Sequence, residues 1–206
     1  MALFPRERAE IAPGAVHVPD WLSPDEQARL VEACREWSRP PAGLRATTMP
    51  NGSVMSVRSV CLGWHWTPYK YERHTEHGEP VKPFPDWLGE LGRRAAGAGY
   101  RPDIALVNYY DAGARMGMHR DADERSAEPV VSLSLGDTCV FRFGNTDNRG
   151  RPWTDVELHS GDLFVFGGPS RLAFHGVTRT FPGTGPEIGL RGGGRLNITL
   201  RVSGME

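Results

Sequence analysis

The sequence is poor in cysteine, in long apolar runs and in net charge, and each shortage removes a class of explanation. Its three cysteines, Cys34, Cys61 and Cys139, are odd in number, far apart and without CxxC spacing. That argues against a disulfide framework and predicts reduced, buried thiols in a reducing compartment. No apolar stretch approaches membrane-spanning length, and the opening MALFPRERAE lacks the apolar core of a signal peptide. The expectation is a cytoplasmic monomer with no membrane partner. The formal net charge is only −1, where a dedicated basic nucleic-acid binder is usually more positive. Bulk charge therefore points to no polyanion, and leaves a local basic groove open. No internal repeat or linker interrupts the chain.

What is present is a sizeable apolar fraction, 39% of 206 residues, with 25 glycines and 17 prolines. That suits one domain over 1–206, turn-rich and mainly β. Residues 1–22 look irregular apart from a short strand over 15–18. Ser23-Pro24-Asp25-Glu26 is a capping box with proline at the first helical position. Leu30, Val31, Cys34 and Trp37 then recur at helical spacing, predicting an amphipathic helix over 24–37 that lies on a sheet. A second helix is expected from Pro85 to about Ala98, stopped by Gly99. Asn51-Gly52 between strand-like flanks predicts a hairpin. The aromatic and basic cluster that follows, Trp64 to His74, suits either an ordinary packed hairpin or a platform for stacking bases.

From residue 103 the pattern becomes short strands: 104–110, 130–135, 139–144, 154–158, 163–166, 173–177 and 196–202. Turn signals separate them, which argues for an antiparallel sandwich or jelly roll. Phe181 to Gly194 is glycine-rich and aperiodic, and is expected to be a mobile loop.

The chemistry begins at Leu106–Glu124, LVNYYDAGARMGMHRDADE. Residues two apart in extended chain point the same way, so His119 and Asp121 present an imidazole and a carboxylate to one side, about 6–7 Å apart along the backbone. A divalent metal bridges such a gap, although pairs like this also arise by chance in solvated loops. Asn108 and Tyr110 share the strand face opposite Val107 and Tyr109. The final strand alternates, with Arg195, Asn197, Thr199 and Arg201 opposite Leu196, Ile198 and Leu200. If the sheet rolls up, those arginines line a cavity and need anionic partners. A lone histidine in an apolar strand is more often a core residue than a ligand, but His175, whose following Gly176 permits close approach, would complete a set of three with His119 and Asp121. Two histidines and a carboxylate leave three positions open on iron(II). Among the remaining histidines, His159 is the main rival for the third place.

The ordered set of motifs resembles the AlkB-type alkylation-repair branch of the iron(II)/2-oxoglutarate dioxygenases. It comprises Leu106-Val-Asn-Tyr-Tyr, His119-Arg-Asp-Ala-Asp-Glu124, Val131-Ser-Leu-Ser-Leu-Gly136, Gly167-Gly-Pro-Ser-Arg171, His175-Gly176 and Arg195-Leu-Asn-Ile-Thr-Leu-Arg201. Upstream, Met49-Pro-Asn-Gly52, Met55-Ser56 and Leu62-Gly-Trp64 also match. The resemblance implies a double-stranded β-helix, or jelly roll, over 103–203, with flanking helices and a nucleotide-recognition lid over 45–74. It implies Fe(II) on His119, Asp121 and His175, with O2 and 2-oxoglutarate as co-substrates. Arg195 and Tyr110 would clasp the far carboxylate of 2-oxoglutarate. Arg201, Asn108 and Asn197 would lie nearer the metal. Trp64 would stack on a flipped base opposite His119, with Asp123 at the base's polar edge and Met49, Ser53, Met55 and Tyr71 in the lid. For Glu124 plain solvation is expected. The chain departs from the pattern at Phe166, where tryptophan is frequent, at Ala122, where a basic residue occurs, and at Tyr109, which replaces a cation.

The implied reaction is oxidative N-demethylation of alkylated DNA or RNA, single-stranded or with the base flipped. Two other readings stand beside it. The same chemistry on a protein or small molecule is separated by comparing oligonucleotide with peptide turnover. A non-catalytic jelly roll that binds metal or sugar would have no use for two arginines on the cavity face.

Overall fold

A computed structural model describes residues 5–206. Of the stretch 1–22 read as irregular, residues 1–4 lie outside the described residues. The remainder holds two strands, β1 (Ala9–Ala12) and β2 (Ala15–Val18), of which only the second was legible. There follow α1 (Pro24–Trp37), β3 (Arg45–Thr48), β4 (Val54–Leu62), β5 (His65–Thr67), β6 (Lys70–Glu72) and α2 (Asp86–Ala96). The rest is β7 (Ile104–Tyr110), β8 (Met116–His119), β9 (Val130–Gly136), β10 (Thr138–Phe143), β11 (Thr154–Leu158), β12 (Leu163–Phe166), a 3-10 turn (Gly168–Ser170), β13 (His175–Phe181) and β14 (Arg195–Arg201).

Two antiparallel sheets form a jelly roll. The larger runs β1-β2-β12-β9-β14-β7-β4-β3 and the smaller β11-β10-β13-β8. Between them lies an aromatic core that includes Phe141, Phe143, Phe164 and Phe166. The outer face of the large sheet is covered by the two helices, with Leu30, Val31 and Cys34 of α1 and Leu88 of α2 packed on Val60, Val107, Leu133 and Ile198. Strand alternation decides this division. In β7 and β14 odd and even positions face opposite sides, one toward helices and one toward the second sheet.

Local chemistry sets the helix ends. Ser23 Oγ accepts from Glu26 N and Ser23 N donates to Glu26 Oε2, the reciprocal cap expected for α1. α2 is shorter than its pattern suggested. It ends at Ala96 because Gly97 itself, at φ 107° and ψ 159°, leaves helical geometry. The strand expected over 173–177 instead begins at His175 and runs to Phe181, since Ala173 N is engaged by the preceding turn. The glycine-rich segment 181–194 is tied down rather than free. Asp137, buried at the β9–β10 turn, accepts from the backbone N–H of Thr184, Gly185 and Gly194, and Ile188 is buried in the helix-side core. Among the described residues no helix is long and apolar enough to cross a membrane. All three cysteines are free and buried.

Candidate metal and co-substrate site

His119 ends β8 and His175 begins β13, and the two are directly opposite in register. That pairing brings their ring centroids to 4.5 Å. It requires glycine at 176, where a Cβ would fall 2.5 Å from Met116 O. Asp121 lies two residues past the end of β8, and ligand atoms of His119, Asp121 and His175 lie within 4.8 Å of one another. The rings are preset to ligate. Each Nδ1 meets a backbone carbonyl, Gly117 O at 2.8 Å for His119 and Ala173 O at 2.9 Å for His175. Nδ1 is thereby the donor, which leaves the Nε2 lone pairs facing the carboxylate, 3.7 and 3.6 Å from Asp121 oxygens. Burial, then the neighbouring His119, hold His175 neutral down to about pH 4. For Asp121 burial favours the acid, but Arg201, His175, His119 and Arg171 outweigh it and hold the carboxyl at about 2. Asp121 Oδ2 is buried and accepts no hydrogen bond, despite an ion-pair distance of 2.7 Å to Arg201 Nη2. Two imidazoles turned to one point by their Nδ1 hydrogen bonds, together with an ionised carboxylate, are the donor set a divalent iron takes.

Beside the triad a cavity runs between the sheets, lined by Asn108, Tyr110, Arg195, Asn197, Thr199 and Arg201 among others. Arg195 is 1% exposed. Its Nη2 donates to Ser134 Oγ at 2.9 Å and its Nη1 to Asp137 O at 3.4 Å, while Nε has no partner. Among the described residues it has no carboxylate within ion-pair distance. A buried guanidinium facing only neutral oxygens is costly unless an anion joins it. Asn197 is fixed by Ser132 Oγ and Leu133 O, and Asn108 Oδ1 accepts from Ser59 Oγ.

The family model of the 2OG-Fe(II) oxygenase superfamily matches residues 14–201. The chain belongs to that superfamily. Relatives place it in the AlkB-type branch. An "Alpha-ketoglutarate-dependent dioxygenase AlkB homolog" from Caulobacter vibrioides is 41% identical, over 93% of this chain and 88% of its own. "DNA N(6)-methyladenine demethylase ALKBH1D" of Arabidopsis thaliana is 33% identical over 93% of this chain and 50% of its own. The solved structure of OsALKBH1 superposes with a TM-score of 0.85 at 30% identity, covering 94% of this chain and all of that one. As a 2OG-Fe(II) oxygenase the protein is an enzyme that uses Fe(II), 2-oxoglutarate and O2.

In this AlkB-type oxygenase the two cavity arginines have different surroundings. Arg201 already has acids of its own: Nη2 meets Asp121, and Nη1 donates to Glu124 Oε1 and Tyr71 Oη, each at 2.9 Å. Burial alone would lower its affinity for a proton, but Asp121, Tyr71 and Glu124 raise it far above the ordinary value. Glu124, read from sequence as solvated, has a side chain that is 0% exposed. It also accepts from Arg171 Nη2 at 2.9 Å and Tyr71 Oη at 2.6 Å. The correction has a simple cause. The partners lie 47 to 77 residues away, so no local pattern announces them. Arg171 in turn donates to Asp121 O and Glu128 O.

The residues read as base-contacting are spread more widely. Tyr71 reaches the metal loop through Glu124. Asp123 Oδ2 accepts from Trp66 Nε1 at 2.8 Å, a partner the sequence reading missed. Trp64 is buried, donates Nε1 to Asp103 Oδ2 and carries Arg73 Cζ 3.5 Å from its ring centre. It is not among the residues lining the metal cavity. Met49, Ser53 and Met55 sit at the tip of the β3–β4 hairpin, also outside that lining. His159 pairs with Glu157 at 2.9 Å and takes no part in the triad.

Proposed function

We propose that the enzyme removes N-linked methyl groups from nucleobases in DNA or RNA, presented single-stranded or flipped out of a duplex, with segment 45–74 as the lid. The observation that carries the reading is the joining of this segment to the metal loop at two acids, Trp66 to Asp123 and Tyr71 to Glu124. A flat ring admitted there meets aromatic faces and an ionised carboxylate beside the metal, which suits a methylated base with positive charge. Arg73 over Trp64 already displays that preference, since a guanidinium is itself a flat cation on an indole. Arg73 is exposed and held by one hydrogen bond to Gly63 O and by the Trp64 ring itself.

In this reading His119, Asp121 and His175 hold the iron. Arg195 takes the far carboxylate of 2-oxoglutarate with Tyr110, and Asn108 and Asn197 flank the keto-acid end. Arg201 acts mainly through Asp121 and Glu124. The bound iron, 2-oxoglutarate and dioxygen together supply oxidation of the methyl group, giving succinate and carbon dioxide. The hydroxymethyl product on nitrogen then releases formaldehyde and leaves N–H. The chain's part is orientation and exclusion of water by the Phe141, Phe166 and Val177 wall.

Mass spectrometry of a methylated oligonucleotide with iron(II), 2-oxoglutarate and oxygen is the test, and an unchanged oligonucleotide would overturn the proposal. The Arabidopsis relative's name favours a neutral substrate, N6-methyladenine, as a second reading. Asp123→Ala decides between them. It is expected to lower turnover of 1-methyladenine or 3-methylcytosine far more than of N6-methyladenine, and equal losses would remove charge selection.

A further inference from the structure

A second cavity, of about 170 Å³, lies on the opposite side of the large sheet, under α1. Its walls include Val31 and Cys34 of α1, Val60 of β4, Val107 of β7, Leu196 of β14 and Leu190 of the glycine-rich loop. It shares no lining residue with the metal cavity. Strand alternation keeps the two apart. Val107 and Leu196 line this one, while their chain neighbours Asn108, Arg195 and Asn197 line the other.

The inner part of the cavity is apolar. Burial pushes the Cys34 thiol up to about 12, so it stays protonated and packs as a small apolar group. An apolar cavity of about 150 Å³ stays dry and admits a body the size of benzene. The outer part is cationic, because Arg35 is half-buried and Arg191 exposed. Arg35 Nη2 donates to Gly189 O at 2.7 Å, which holds the guanidinium against the loop. Glu36, the next residue on α1, is taken by Arg39 at 2.8 Å. Among the described residues neither Arg35 nor Arg191 has a carboxylate within ion-pair distance. Leu190 and Arg191 lie between the buried Ile188 and the anchored Gly194, so one short stretch of loop covers the cavity.

We propose that this cavity binds a small monocarboxylate, with a single ring or short chain against Cys34, Val60 and Val107 and the carboxylate on Arg35 and Arg191. One apolar end and one cationic end select an anion with a single charged group, since a second charge would be carried into the dry part unpaired. The site is independent of which methylated substrate the enzyme takes.

The test is calorimetric titration of the Mn(II)-loaded enzyme with benzoate, in saturating 2-oxoglutarate so that the co-substrate cavity is already filled. Benzoate is expected to bind once per chain, on the order of tenfold more tightly than benzyl alcohol. Arg35→Gln/Arg191→Gln is expected to bring benzoate down to the level of the alcohol, with melting temperature and metal titration showing that the variant is folded. Cys34→Leu fills the inner part and is expected to abolish binding of both. Benzoate binding no tighter than the alcohol overturns the proposal, as does full benzoate affinity in the double arginine variant. Expulsion of benzoate by 2-oxoglutarate overturns it too, because the carboxylate would then belong to the metal cavity.

Discussion

Arg195 and Arg201 occupy the same face of one strand, yet burial has different consequences for each. Arg201 is surrounded by Asp121 and Glu124 and acts as part of the protein's own charge network. Arg195 has only a hydroxyl and a carbonyl and, among the described residues, no acid within ion-pair distance. Arg195→Met is expected to raise KM for 2-oxoglutarate about a hundredfold, the loss of ~3 kcal/mol of charge-assisted hydrogen bonding, while metal binding is retained. Steady-state kinetics and an anaerobic metal titration read the two separately. Glu124→Gln removes the negative charge between Arg171 and Arg201 and leaves Asp121 facing two unbalanced cations. Metal affinity is then expected to fall on the order of tenfold, measured by the same titration. At this scale the triad and the arginines were legible, because alternation in a strand states which side chains share a face. Glu124 and Trp66 were not. Their partners come together only when β5, β6, β14 and Arg171, just past the 3-10 turn, converge on the loop after β8.

The elements that matter most to the metal are β8 and β13. Their register, not any single side chain, sets the spacing of the two histidines, and Gly176 sets how near the strands lie. Gly176→Ala places a methyl 2.5 Å from Met116 O and 2.9 Å from the Gly117 carbonyl, atoms that belong to backbone and cannot swing away. β8 is expected to shift outward, with metal affinity lost before thermal stability. A melting curve compared with the metal titration checks the order of losses. The sequence announced Gly176 as a point of close approach, but β8 is only four residues long, too short for a periodic signal. The loop 181–194 misled for the opposite reason. Its composition is that of a flexible segment, and the three amides anchored on Asp137 leave no trace in composition.

For the molecule as a whole, the chain order of strands and turns was enough to recognise a jelly roll. It did not reveal that the hairpin of β3 and β4 continues the large sheet through β4–β7 pairing, so the lid grows out of the core. Nor did it show how the N-terminal segment is attached. Asp162, whose side chain is 0% exposed, collects Arg6, His17 and the backbone N–H of Asp20 and His159. Burial favours its acid form, but those donors hold its pKa at about 2. A folded-state value below the unfolded one stabilises fully above about pH 4 and is lost as pH falls through 2. Asp162→Asn is expected to cost about 2 kcal/mol at neutral pH. Denaturation curves of variant and parent should converge in strong acid, and a gap that persists there would refute the linkage.

All seven residues of β14 are buried. Three pack beneath the helices and four line the cavity, so the strand has no idle position at which drift is harmless. A saturation library across 195–201 should therefore split cleanly into survivors that misfold and survivors that fold but no longer turn over, with almost nothing between.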